Sequence, residues 1–99
     1  MEGEEFCYIG EAAKKINIHE QTIREYERRG LIQPQRSARN TRLFSRKDLL
    51  RIELIITLTQ ELGLNLSGVK VIFALGDKQG MNEDELLDFI MDNISELGS

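Results

Sequence analysis

The chain has 99 residues, 40% of them apolar and 30% charged, which suits one folded domain and excludes a disordered or membrane-spanning protein. A single cysteine, Cys7, excludes an internal disulfide and a cysteine-rich metal cage, and it reads as a small apolar residue at the domain edge. The acidic start MEGEEFCYIG lacks the basic head and apolar run of a signal peptide, so a cytoplasmic protein is expected.

The first predicted helix covers Gly10 to Ile16. Ile9, Ala12, Ala13 and Ile16 recur at helical spacing and form one apolar face. Asn17 suits a helix-ending, left-handed position. A second helix is expected from about Glu20 to Arg29, with His19 in the capping place and Gly30 as its stop. Leu31 and Ile32 would return to the core. Two short helices about three residues apart are the geometry of a helix-turn-helix, whose second helix enters the major groove of DNA. On that helix Ile23 and part of Tyr26 would face the core. Gln21, Thr22, Arg24 and Arg28 would face outward, where glutamine can bond adenine and arginine can bond guanine.

Charge distribution agrees. The net charge is −4, but Lys14 to Arg51 holds 11 Lys and Arg against 4 Asp and Glu, a balance of +7, and the remainder holds 2 against 13, or −11. A basic block within an acidic chain fits phosphate contact, although a solvated surface would look the same.

After Pro34 a short hairpin is predicted, with Gln35 to Ser37, a turn around Arg39–Asn40, and Thr41 to Phe44. It forms a basic wing bearing Arg36, Arg39 and Arg42, anchored by Phe44. Ser45 then caps a third helix with Asp48 in its first turn. Leu49, Ile52 and Ile56 form its stripe, widened by Leu50, Leu54 and Ile55, and Gly63 ends it. A fourth helix is expected over Leu64 to Leu75, capped near Asn65 or Ser67 and packed through Val69, Ile72, Phe73 and Leu75. Residues 76–80, GDKQG, read as a linker. Asn82 caps a last, acidic amphipathic helix. Its Leu87, Ile90, Ile94 and Leu97 form a short heptad-like seam, expected to pair with a second copy rather than fold back. The expected fold class is therefore mainly α. Residues 1–75 make a winged helix-turn-helix with a β-hairpin wing, 76–80 the linker, and 81–99 the dimerising helix.

The segments IGEAA, TIREYERRGLI and the wing with TRLFS and DLLRI occur in order over about residues 8–75. Together they resemble the DNA-binding domain of MerR-type transcription regulators. The resemblance implies a homodimer bound to double-stranded DNA at an inverted-repeat operator. IHEQTIREYERRGLI, RSARNTRLFS and LTQELGLNLSGVKVIFAL are most similar to the heat-shock repressor subgroup, HspR. That subgroup implies repression of chaperone operons with a DnaK-type chaperone as co-repressor. LNLSGVKVI is also similar to the glutamine-synthetase repressors. Four positions depart from the pattern: Glu20 stands for the proline of the heat-shock subgroup, Arg39–Asn40 for a pair of glycines in the wing turn, and Phe44 for the family's common tyrosine.

The family carry-over places Gln21, Thr22 and Arg24 at the major groove, with Arg24 the base reader. It gives Tyr26 a phosphate contact through its hydroxyl, supported by Arg28, and sets Arg36, Arg39 and Arg42 on the flanking backbone. His19 is a cap or a base contact, and Lys14 and Lys15 are phosphate partners or solvent-facing charges. One cysteine and one histidine cannot supply a soft-metal site. No nucleophile–base pair, phosphate loop or ligand cluster suggests an enzyme, and no cofactor is expected. A small nitrogen-metabolism regulator and an excisionase-like or adaptor protein remain the alternative readings.

Overall fold

The computed structural model describes residues 5–97, and of 94–97 the backbone only. Helix α1, Ile9–Ile16, ends at Asn17 in the left-handed conformation, φ 65°. Its partner α2, Glu20–Arg28, begins at an extended His19 whose side chain makes no capping bond; the His19 carbonyl alone accepts the first helical N–H groups. Ala12, Ala13 and Ile23 are buried where the two helices meet, and the small alanines permit the close approach. Gly30 turns the chain out of α2 at φ 77°, and Leu31 and Ile32 plug the core as expected.

Strand β1, Phe6–Cys7, was not foreseen from the sequence, because two residues are too short to show a period of two. Strands β2, Gln35–Arg36, and β3, Arg42–Ser45, form the expected hairpin. β3 is central in the three-stranded antiparallel sheet, flanked by β1 and β2. Cys7 lies opposite Phe44, and both are buried. Burial pushes the Cys7 thiol above its ordinary value, so it stays neutral and serves packing. In the hairpin turn the Ser37 hydroxyl accepts from the N–H groups of Arg39 and Thr41 at 3.2 and 3.1 Å. Asn40 supplies the positive φ, 65°.

Helix α3, Arg46–Ile56, starts with a full capping box: Asp48 N–H donates to Ser45 Oγ at 3.1 Å, and Ser45 N–H donates to Asp48 Oδ2 at 2.9 Å. We expect Ser45→Ala to lower stability by about 1 kcal/mol in urea unfolding. The helix does not run evenly to Gly63. Residues Thr57–Glu61 widen into a π-helical turn, with Leu62 N–H donating to Thr57 O at 3.3 Å. Nothing in the apolar periodicity signals such a turn.

Helix α4, Leu66–Lys78, is capped by Asn65, whose side chain accepts from Gly68 N–H at 2.8 Å. Two expectations need correction here. Leu75 faces outward, and the packing face is Val69, Phe73 and Gly76 with Ile72 half-buried. The expected linker is mostly helix, since residues 76–78 are the end of α4. Gly76 is used for close approach rather than as a break. A Cβ there would lie 3.0 Å from Leu86 Cδ2 of α5.

Helix α5, Glu83–Leu97, has a reciprocal cap between Asn82 and Glu85, at 2.8 and 2.9 Å. It folds back on α3. This corrects the expected seam. Ile90 is only 7% exposed and belongs to the chain's own core with Leu86, while Leu87 is half-buried against it. The side chains of Ile94 and Leu97 lie outside the described residues. Phe89 and Met91 are the described apolar residues of α5 left facing outward.

Arg51 of α3 locks this arrangement. Its Nε donates to Leu31 O at 2.6 Å, its Nη1 pairs with buried Glu83 at 2.9 Å, and its guanidinium lies 4.1 Å from the Phe73 ring centroid. One side chain thus joins the chain just after α2 to α3, α4 and α5. Among the described residues no helix is long and apolar enough to cross a membrane.

Candidate nucleic-acid interface

Helix α2 carries alternating acid and base, and burial of Ile23 and Tyr26 fixes which side chains face out. Arg24 lies on the outer face, where it donates to Gln21 Oε1 at 3.1 Å and Glu20 Oε1 at 3.0 Å. Gln21 and Arg28 are exposed and Thr22 is half-buried beside them. Arg28 and Arg29 both pair with Glu25. On α1, Lys14 is exposed and Lys15 lies 3.9 Å from Glu11. His19 is exposed at the turn between the helices. Tyr26 is mostly core, 7% exposed, and burial raises its hydroxyl pKa, so the group remains a neutral donor.

The residue that organises the surface is Glu27, which the sequence reading left unassigned. Its two carboxylate oxygens each take one arginine from the wing: Arg42 Nε at 2.6 Å and Arg36 Nη2 at 2.9 Å. Arg36 also donates to Asn40 O across the hairpin at 3.2 Å. The wing is thereby tied to α2 by a part-buried, two-armed clamp, and Arg39 at its tip is exposed. Sequence order hides this contact, since Glu27 and Arg42 are 15 residues apart. No local pattern signals it, since Glu27 shares its side of α2 with Glu20, seven residues earlier.

Of the predicted positions, the structure brings Gln21, Thr22, Arg24, Arg28, Arg36, Arg39 and Arg42 onto α2 and the adjoining wing. Lys14, Lys15 and His19 sit on α1 and at the turn that precedes α2. The +7 of the basic block is partly internal balance. Glu25 and Glu27 each hold two arginines, leaving one positive charge per cluster.

Burial raises the Glu27 carboxyl pKa, but hydrogen bonds and charge from Arg42 and Arg36 outweigh that and leave it below the usual 4.5. Because the folded value is depressed, the clamp's stabilisation is present in full above about pH 4.5 and is lost as pH falls through the folded value. Glu27→Gln should remove that acid-range stability loss. It should also remove the acid that offsets one of the two arginines and steepen the salt dependence of DNA binding by about one charge, read from log–log slopes by fluorescence anisotropy.

The model of the MerR HTH family regulatory proteins matches residues 7–75. The heat shock protein HspR of Streptomyces coelicolor is 39% identical over 67 residues, which is 68% of this chain and 44% of that one. The mercuric resistance operon regulatory protein of Bacillus cereus is 32% identical over 90 residues, 90% of this chain and 67% of that one. An uncharacterized HTH-type transcriptional regulator of Synechocystis is 30% identical over 92 residues, 92% of this chain and 66% of that one. The chain thus spans less than half of the first relative and about two thirds of the other two. No solved structure matches the chain.

Proposed function

The chain belongs to the MerR family of helix-turn-helix transcription regulators, and from that membership we propose a sequence-specific repressor of heat-shock operons. In this reading a homodimer binds an inverted-repeat operator, with one α2 in each half-site and the wings on the flanking backbone. The observation that carries the mode of binding is the Glu27 clamp. It makes α2 and the wing one surface, so base reading by Gln21, Thr22 and Arg24 is registered by phosphate contacts from the wing. Similarity to HspR supports the heat-shock assignment and a DnaK-type chaperone as co-repressor.

The test is a genomic selection. Purified protein is incubated with sheared DNA of its source at near-physiological salt, and the retained fragments are sequenced. Inverted repeats upstream of chaperone operons are expected. Sites before nitrogen genes would replace the heat-shock assignment, and no enrichment with or without a DnaK-type chaperone would favour an adaptor.

In the same reading α5 joins two copies through the exposed flanks on either side of buried Ile90. Phe89 is 55% exposed and Met91 48%, apolar area that a second copy would cover. Phe89→Glu with Met91→Glu should leave the fold intact, halve the sedimenting mass and weaken operator binding. Unchanged sedimentation would remove α5 from the dimer contact. Ile90 is unsuitable for this test, because a charge there would unfold the core.

A further inference from the structure

Of the arginines paired on α2 and the wing, only Arg24 has a carboxylate to itself. Glu25 divides between Arg28 and Arg29, and Glu27 between Arg36 and Arg42. Glu20 serves Arg24 at 3.0 Å, and among the described residues it pairs with no other cation. Glu20 is the first residue of α2, where the helix dipole favours a carboxylate. An acid four residues before a base is also the better order for a pair along a helix. The other carboxylate oxygen lies against α1. A Cβ on Gly10 would come within 3.3 Å of Glu20 Oε2, so the bare glycine leaves room for it. The family carry-over gives Glu20 no role.

The pair changes what Arg24 can do. Its charge is balanced by Glu20, so it adds little attraction for phosphate, and the acid beside it repels phosphate. Its capacity to donate hydrogen bonds remains. Nη2 donates to Glu20 Oε1 and Nη1 to Gln21 Oε1, which uses two of the five N–H groups of a guanidinium. Guanine O6 and N7 need two of the others. A loose arginine has many rotamers to lose and many phosphates to reach. One held between two acceptors has fewer of both.

We propose that Glu20 is a positioning residue that sets operator specificity: it holds Arg24 toward the edge of one guanine and keeps it from the phosphates. The inference rests on the DNA-binding reading of α2. With Oε2 turned to Gly10 and Oε1 on Arg24, Glu20 acts through Arg24 and touches no base itself. Discrimination is gained at a cost in overall affinity, because a carboxylate faces the DNA.

The test uses the full chain with a duplex recovered by the genomic selection, its single-base variants and a scrambled duplex, read by anisotropy. Glu20→Ala should bind the scrambled duplex more tightly and steepen the salt slope by about one, since a negative charge is gone. At the base pair that Arg24→Ala relaxes, Glu20→Ala should lose discrimination by about three- to tenfold, with the other positions unchanged. Glu20→Gln keeps an acceptor without the charge and should restore part of that loss. In the Arg24→Ala background, Glu20→Ala should change no preference further. The pair is exposed, so the melting temperature should barely move in these variants. If Glu20→Ala strengthens every duplex by one factor and leaves each preference intact, Glu20 is only a solvated charge. If it relaxes a preference equally in wild type and in the Arg24→Ala background, Glu20 acts without Arg24. Either outcome overturns the inference while reading by α2 stands. If Arg24→Ala itself changes no preference, the reading by α2 fails and takes this inference with it.

Discussion

Arg51→Ala should lower the free energy of unfolding by about 3–5 kcal/mol, the largest loss expected from any polar substitution in the chain. The side chain of Glu83 is only 9% exposed, and without its guanidinium partner it becomes an uncompensated buried charge. The Leu31 carbonyl loses its donor at 2.6 Å and the Phe73 ring its stacked cation. Asp77, 4.0 Å away and largely exposed, cannot compensate, since it is also an anion. Urea unfolding reads the effect as a lower midpoint at unchanged slope. The double replacement Arg51→Met with Glu83→Leu should recover most of the loss, because removing both charges leaves no orphan. A loss below about 1 kcal/mol for Arg51→Ala would put this pair among ordinary surface ion pairs.

Arg24→Ala should relax discrimination at one base position by about 1–3 kcal/mol while leaving phosphate-driven affinity in place. Its guanidinium is half-exposed on the outer face of α2, and its bonds to Gln21 and Glu20 hold it extended along that face rather than buried. Fold stability should change by less than about 0.5 kcal/mol, as expected of an exposed pair within one helix. Arg42→Ala should behave oppositely. It weakens every sequence alike and lowers the salt slope by about one. It also releases one arm of the Glu27 clamp. Binding of a panel of single-base operator variants separates the two. Unchanged specificity in Arg24→Ala would remove α2 from the groove.

Most of the fold was legible because it is written in local signals. Asn17, Gly30 and Gly63 mark helix ends by positive φ, and Ser45, Asn65 and Asn82 mark helix starts by side-chain caps. The wing was legible through its turn, where Asn40 takes the left-handed position. Most of the misreadings are non-local. β1 exists because Cys7 finds Phe44 across 37 positions of sequence, and two residues carry no pattern of their own. GDKQG looked like a linker because glycine usually breaks helices, whereas Gly76 is there to admit Leu86. The α5 stripe looked like a dimer seam because a helix cannot show in its sequence which partner covers it. Leu86 and Ile90 are covered by the chain itself.

The candidate site divides in the same way. Exposed positions on α2 and the wing follow from the period of the buried residues, so Gln21, Arg24 and Arg39 could be placed from sequence. Glu27 and Arg51 could not, since each acts on residues brought near only by the fold. Net charge was the weakest guide, because much of the basic block answers to acids within the protein.

The most direct measurement compares equilibrium binding of the selected duplex and a scrambled one of equal length, by anisotropy, from low to physiological salt. We predict at least about a thousandfold preference for the selected sequence, with log affinity falling linearly in log salt for both duplexes. Equal affinity for the two duplexes at every salt concentration would contradict sequence-specific reading by α2.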